Sequence, residues 1–125
     1  FMNQINEQKY YKNEVGERPW GRWAVLDAGP GFTVKRIEVD PGHRLSLQYH
    51  YHRSEHWLVI DGKGEVEVDE KAISIHTGSH VHIPLKAVHR VKNTGSSTLI
   101  ILELQQGDVL DEDDIVRLED DYARE

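Results

Sequence analysis

The chain contains no cysteine, which removes disulfides, thiolate nucleophiles and thiolate metal ligands together, so any metal must be held through nitrogen and oxygen. No apolar run approaches the roughly 20 residues that a membrane-spanning helix requires, and the opening FMNQINEQKYYKNE has no apolar signal segment. The expectation is a cytoplasmic protein without a membrane partner. Phe1 ahead of Met2 reads as an added residue, with Met2 as the native start. Basic charge is scarce as well: 15 lysines and arginines face 22 acidic residues, for a formal charge of −7. A phosphate backbone demands a basic face, so nucleic acid is not expected as a partner. Helical periodicity is missing from everything ahead of the tail. At 125 residues the chain makes one domain, large enough to bury a core without staples.

What the chain does have is short extended runs cut by glycine and proline. Residues 21–26, 32–39, 45–52, 56–60, 64–68, 72–75, 80–83, 89–92 and 98–105 read as strands. Gly29-Pro30-Gly31, Asp40-Pro41-Gly42, Asp61-Gly62-Lys63-Gly64, Thr77-Gly78 and Asn93-Thr94-Gly95 separate them. Many short strands at near-regular spacing predict an all-β sandwich or small barrel. The acidic tail places Ile115, Val116, Leu118 and Tyr122 after capping carboxylates, and predicts a short helix or turn packed on the barrel. Its carboxylates lack the glycine hinge and closing glutamate of a calcium loop, and read as a solvated acidic face. Residues 1–17 read as an N-terminal arm and 18–125 as the domain. In a jelly roll such an arm often wraps a partner subunit, so a homodimer is expected.

All eight histidines lie between His43 and His89. From Gly42 the spacing runs five residues to Gln48, one to His50, four to Glu55 and six to Gly62; from Gly78 it runs five to Pro84, four to His89 and three to Asn93. These blocks resemble the two signature motifs of the cupin superfamily, G(x)5HxH(x)3-4E(x)6G and G(x)5P(x)4H(x)3N, with Gln48 in place of the first histidine. The resemblance implies a double-stranded β-helix, a jelly-roll barrel, with Gln48, His50, Glu55 and His89 as metal ligands. Two nitrogen and two oxygen donors with open positions suit Zn²⁺, while Mn²⁺, Fe²⁺, Co²⁺ and Ni²⁺ are also compatible. A competing register takes His50 and His52 as the strand pair, followed by Glu55 or His56, but it breaks the spacing from Gly42.

Strand alternation sorts the faces. Ser46, Gln48, His50 and His52 fall on one side and Leu47, Tyr49 and Tyr51 on the other. Glu55, Trp57 and Val59 share a face, as do Ile101, Glu103 and Gln105. Lys35 and Ile37 alternate against Arg36 and Glu38, with the inward pair left open. His76, His80 and His82 read as structural or exposed, although His80 and His82 share a face and could line the barrel. His43 falls in a turn, and His56 should point away from Glu55. Trp20, Trp23 and Trp57 read as core or interface residues, with a pocket wall as the alternative for Trp57. Lys35, Arg36, Arg44, Arg53, Lys86 and Arg90 surround the motifs and would welcome a small anion.

Longer strings narrow the resemblance. RPWGRW at 18–23, PGHRLSLQYHYHRSEHWLVIDGKGEV at 41–66, IPLKAVHRVKN at 83–93 and LELQQGDVLDEDDIVRLEDDYAR at 102–124 resemble type II mannose-6-phosphate isomerase. That cupin domain commonly forms the C-terminal end of bifunctional mannose-1-phosphate guanylyltransferase/isomerase proteins. No glycine-rich nucleotide-binding loop is present here, and the arm is too short to hold a guanylyltransferase domain. The resemblance implies conversion of mannose 6-phosphate to fructose 6-phosphate through a cis-enediol, which needs an electrophile, a base and a phosphate anchor. The metal can polarise the carbonyl. Type I isomerases, whose zinc is held by a glutamine, a glutamate and two histidines, support Gln48 as a ligand. For the anchor the choice falls on Lys35 and Arg90, with Arg44, Arg53 and Lys86 as other candidates. Arg90 follows His89, so it enters the lumen only if its strand bends or begins there. For the base the candidates are His52, which is preferred, Glu103 and a metal-bound water; Glu103 alternatively orients a ligand histidine. A different reading is a non-catalytic or differently specialised cupin that binds a sugar or sugar phosphate.

Overall fold

Alternation of apolar and polar residues along most extended runs leaves those strands with one face to bury, and two sheets folded against each other bury the central ones. The computed structural model describes residues 10–110 and 114–122. Its strands are β1 (Val15–Arg18), β2 (Gly21–Gly29), β3 (Phe32–Val39), β4 (Leu47–His50), β5 (Arg53–Asp61), β6 (Lys63–Val68), β7 (Lys71–His76), β8 (His80–Ile83), β9 (His89–Asn93), β10 (Leu99–Gly107) and β11 (Ile115–Glu119). A six-stranded sheet runs β1-β2-β3-β10-β5-β8 and a five-stranded sheet runs β11-β4-β9-β6-β7. All pairings are antiparallel. Among the described residues no helix is long and apolar enough to cross a membrane.

The inward faces are graded along the barrel. At one level Ile101 of β10 pairs with Ile37 and Val59, and Val39, Val66, Val91 and Leu99 fill the space beside them, all buried. One step along, Glu103 pairs with Lys35 and Trp57, and the next step joins Gln105 with Thr33 and Glu55. The same strands therefore build an apolar floor at one end and a polar lumen at the other.

The motif glycines and Asn93 shape the turns. Gly62 has φ +103°, and a Cβ there would lie 3.0 Å from the Leu99 Cα and 3.1 Å from the Thr98 carbonyl, so the β5–β6 turn needs glycine for both conformation and space. Asn93 donates from Nδ2 to the Val39 and Ser97 carbonyls and accepts from the Gly95 N–H through Oδ1. That closes the β9–β10 loop with its buried polar groups satisfied.

Where a short helix or turn is expected in the tail, the structure has a strand followed by a turn at residues 121 and 122. Residues 115–119 form β11, pairing with β4 in the register Ile115 to His50 and Arg117 to Gln48. β4 would otherwise leave its backbone groups unpaired at the sheet edge, and the β-branched pair Ile115-Val116 suits a strand. The Asp114 carboxylate accepts from the Tyr51 and His52 backbone N–H groups. Residues 111–113 and 123–125, the remainder of that reading, lie outside the described residues. Of the N-terminal arm, Tyr10 is buried against Trp23 and β1 adds to β2 of the same chain; residues 1–9 lie outside the described residues.

Candidate metal centre

β4, β5 and β9 deliver the polar lumen. His50, Glu55 and His89 each place one donor atom within 4.8 Å of the others, and all three are buried. His50 Nε2 lies 3.3 Å from Glu55 Oε2 and His89 Nε2 lies 3.9 Å from Glu55 Oε1. His89 Nδ1 faces the Ala87 carbonyl at 2.9 Å. A nitrogen facing a carbonyl must carry the proton, so the lone pair of His89 is on Nε2 and points at Glu55. Gln48 is the cross-strand partner of His89, and its Nε2 donates to Ser46 Oγ at 2.9 Å. That anchors the NH₂ and leaves Oε1 as the atom a cation would take. The donor set therefore fits a divalent ion of borderline softness. The competing register does not assemble: His52 is exposed and His56 points away.

Arg53 occupies the middle of this cluster. Its Nε donates to Glu55 Oε2 at 2.8 Å, its Nη2 lies 3.3 Å from His50 Nε2, and its buried Nη1 has no hydrogen-bond partner. Trp57 Nε1 donates to Glu55 Oε1 at 2.9 Å. Burial pushes the Glu55 carboxyl up, but the Arg53 guanidinium outweighs it and holds the group below the ordinary carboxylate range. Burial, then the Arg53 charge, brings His50 down to about 3, and burial also lowers His89. Both rings are thus neutral, as ligands must be. Burial and the neighbouring Glu55 raise Glu103 to about 8, and Gln105 Nε2 donates to its Oε1 at 2.6 Å.

A cavity of about 60 Å³ lies over the cluster, with Gln48, Glu55, His89, Lys35, Glu103 and Trp57 in its wall. Lys35 and Ile37 are the inward pair of β3, and the Lys35 ammonium sits 3.8 Å from the Tyr10 ring centroid and 4.4 Å from that of Trp23. Arg90 is buried at the start of β9 and also lines the cavity, with Nη1 3.1 Å from Glu119 Oε1 and Nε donating to the Leu45 carbonyl. Arg18 and Arg117 line the same cavity.

Three expectations need correction or completion. His52 does not share the lumen with His50, because β4 ends at His50 and the chain bends at residues 51 and 52, leaving His52 exposed. His80 and His82 are exposed on β8, as the first reading of them has it, and do not line the barrel. Arg44 is drawn off to Asp121 at 2.8 Å, and Lys86 is exposed. Arg53 was one anchor candidate among several, yet it is the cation nearest the ligands. Extending the Glu55 and Trp57 alternation back by two residues puts Arg53 on their face, so that signal was available. Arg117 carried none, since the tail read as helix or turn.

A two-sheet antiparallel barrel whose lumen gathers histidine and glutamate from both motif segments is a cupin. The *Schizosaccharomyces pombe* Cnp3 cupin domain shares the fold at TM-score 0.67 and 19% identity, covering 70% of this chain and 64% of that one. CapF from *Staphylococcus aureus*, a capsular polysaccharide assembling protein, matches at TM-score 0.71 and 21% identity over 88% of this chain and 32% of its own. Within the cupins, the chain belongs to the family described as mannose-6-phosphate isomerase C-terminal, whose model matches residues 4–120. It is 49% identical over 107 residues to the xanthan biosynthesis protein XanB of *Xanthomonas campestris*, covering 86% of this chain and 23% of that protein. It is 40% identical over 124 residues to a mannose-1-phosphate guanylyltransferase of *Klebsiella pneumoniae*, covering 99% of this chain and 26% of the relative. The chain thus spans about a quarter of the length of these two relatives.

Proposed function

We propose that the chain is a metal-dependent aldose-ketose isomerase that interconverts mannose 6-phosphate and fructose 6-phosphate. The observation that carries this reading is the buried convergence of His50, Glu55 and His89 within a family described by that reaction. Gln48, His50, Glu55 and His89 would hold the ion, with Zn²⁺ the best match to the donors. When bound, the metal supplies a Lewis acid that polarises the sugar carbonyl.

The protein's own groups do the rest. Of the two side-chain base candidates, Glu103 stands in the cavity wall and His52 does not. Glu103, in its ionised form, takes the C2 proton of the aldose to give a cis-enediolate; the O2 hydroxyl proton passes to O1, and Glu103 returns its proton to C1 of the enediolate, which yields the ketose. Lys35, its cross-strand partner, steadies a sugar oxygen. Arg90, with Arg18 and Arg117, receives the phosphate. Trp57 and Trp23 wall off water. The cavity of about 60 Å³ holds an ion and a few waters, whereas small-molecule pockets start at roughly 300 Å³. The sugar phosphate must therefore occupy the mouth, and β11, which brings Ile115 and Arg117 there, has to give way. That tightness, with Arg53 seated on the ligands, is what favours the second reading, a non-catalytic cupin that binds a sugar or sugar phosphate.

The test is a coupled assay of fructose 6-phosphate formation by chelator-stripped protein with Zn²⁺, Mn²⁺, Co²⁺ or Ni²⁺ returned singly. Metal-dependent turnover that is lost in Gln48→Ala and His89→Ala supports the isomerase. A folded, metal-loaded protein that binds mannose 6-phosphate without turnover supports the binding cupin instead.

A further inference from the structure

Three of the histidines that the lumen does not use meet on the opposite surface of the six-stranded sheet. His56 follows Glu55 on β5, so alternation turns it outward. On β8, the edge strand, His82 lies directly across from His56, and His80 is two residues away on the same face. His80 and His82 are exposed and His56 is half-buried. His56 Nδ1 stands 3.3 Å from His80 Nε2, with the two rings 10° from parallel and their centroids 5.5 Å apart. This is an edge-to-edge meeting of nitrogens. His82 stacks on His56 with centroids 4.5 Å apart.

We propose that His56, His80 and His82 form a second metal site, on the outside of the barrel, for a borderline transition ion of the Zn²⁺, Ni²⁺ or Cu²⁺ class. Two nitrogens at about 2.0–2.1 Å from one ion, at a tetrahedral angle, are roughly 3.3–3.4 Å apart. The His56–His80 spacing already has that value. Imidazole is the ligand these ions favour in a chain without thiolates. His82 becomes the third donor by turning its ring about the side-chain torsions, a motion that exposed side chains make in picoseconds to nanoseconds. Water completes the sphere on the solvent side, because among the described residues β8 is the last strand of its sheet. The ligands come from two neighbouring strands of a rigid sheet, so little ordering is required on binding.

The site is tested with the metal alone. Chelator-stripped full-length protein is titrated with Ni²⁺ or Zn²⁺ by calorimetry, beside the double variant His56→Asn/His80→Asn and the single variant His82→Asn. All three positions are at the surface, and circular dichroism checks that each variant is folded. The wild type should bind one equivalent more than the double variant, whatever the lumen takes up. His82→Asn should bind that extra equivalent more weakly, and the Cu²⁺ electron paramagnetic resonance spectrum of the wild type should show a second nitrogen-coupled component, beside that of the lumen histidines, that the double variant lacks. Equal stoichiometry and equal affinity in wild type and double variant would overturn the site and leave the His56–His80 contact as a hydrogen bond.

Discussion

Replacing Arg53 with methionine removes the only positive charge that the structure places within hydrogen-bond reach of Glu55 among the described residues. Glu55 is 1% exposed and Arg53 5% exposed, and their contact is 2.8 Å. Taking one partner from a buried ion pair leaves the other charge uncompensated, which costs about 3 kcal/mol or somewhat more. Trp57 continues to donate to Glu55, so the lower figure is the better choice. For a domain of this size about 3 kcal/mol corresponds to a fall in Tm of roughly 10 °C. The metal-free variant should show that fall in a thermal melt followed by circular dichroism. A divalent ion on Gln48, His50, Glu55 and His89 supplies the missing charge. At a free concentration of 100 times its Kd it returns about 2.7 kcal/mol, nearly the whole loss. In the wild type Arg53 Nη2 is 3.3 Å from His50 Nε2 and competes with the ion, so metal should raise the Tm of Arg53→Met by more than it raises that of the wild type. A metal-free Arg53→Met as stable as the wild type, or one that metal does not rescue, would refute the assignment of Glu55 as a carboxylate shared between Arg53 and an ion.

Gly62→Ala should lower stability by more than about 1 kcal/mol in urea unfolding, since it meets both a left-handed φ and the Leu99 backbone. Val66→Ala, at a site with no exposed surface, should cost about 2 kcal/mol in the same assay without altering metal stoichiometry. Glu103→Gln should abolish isomerisation while the protein still binds metal and mannose 6-phosphate by calorimetry. The Arg44 hydrogen bond holds the Asp121 carboxyl below its usual range. A depressed folded-state value gives stability that is present above the unfolded value and is lost as pH falls through the folded one. The Tm difference between wild type and Asp121→Asn should therefore be present at neutral pH and fade in acid below pH ~4.

Nine of the eleven strands can be read from runs of β-branched and apolar residues between turn signals, and residues 32–39 and 80–83 are bounded in the structure as they are in the sequence. The candidate cluster is legible because fixed spacings from Gly42 and Gly78 carry Gln48, His50, Glu55 and His89 into one lumen. What escaped was decided by pairing over long sequence distance. β1 is four residues of exposed or half-buried VGER, with no pattern of its own until it lies beside β2. β11 takes its conformation from the open edge of β4, which no local signal reveals. His52 was misplaced because alternation was carried through a bend, and Lys35 stayed undecided because its strand offers both Ile37 and Val34 as apolar neighbours. The long charged side chains were hardest, since Arg44, Arg53 and Arg90 lie within a few residues of a motif position yet end up on Asp121, on Glu55 and on Glu119.

Isomerisation at this site requires a proton carried between C2 and C1 when the lumen holds a metal. Mannose 6-phosphate incubated in D₂O with the Zn²⁺-loaded protein and followed by proton and carbon NMR addresses that step directly. The account predicts fructose 6-phosphate that carries solvent deuterium at C1, formed by the wild type and not by Glu103→Gln or His89→Ala. Mannose 6-phosphate that stays unchanged with every metal, or product formed without deuterium and undiminished in Glu103→Gln, would contradict it.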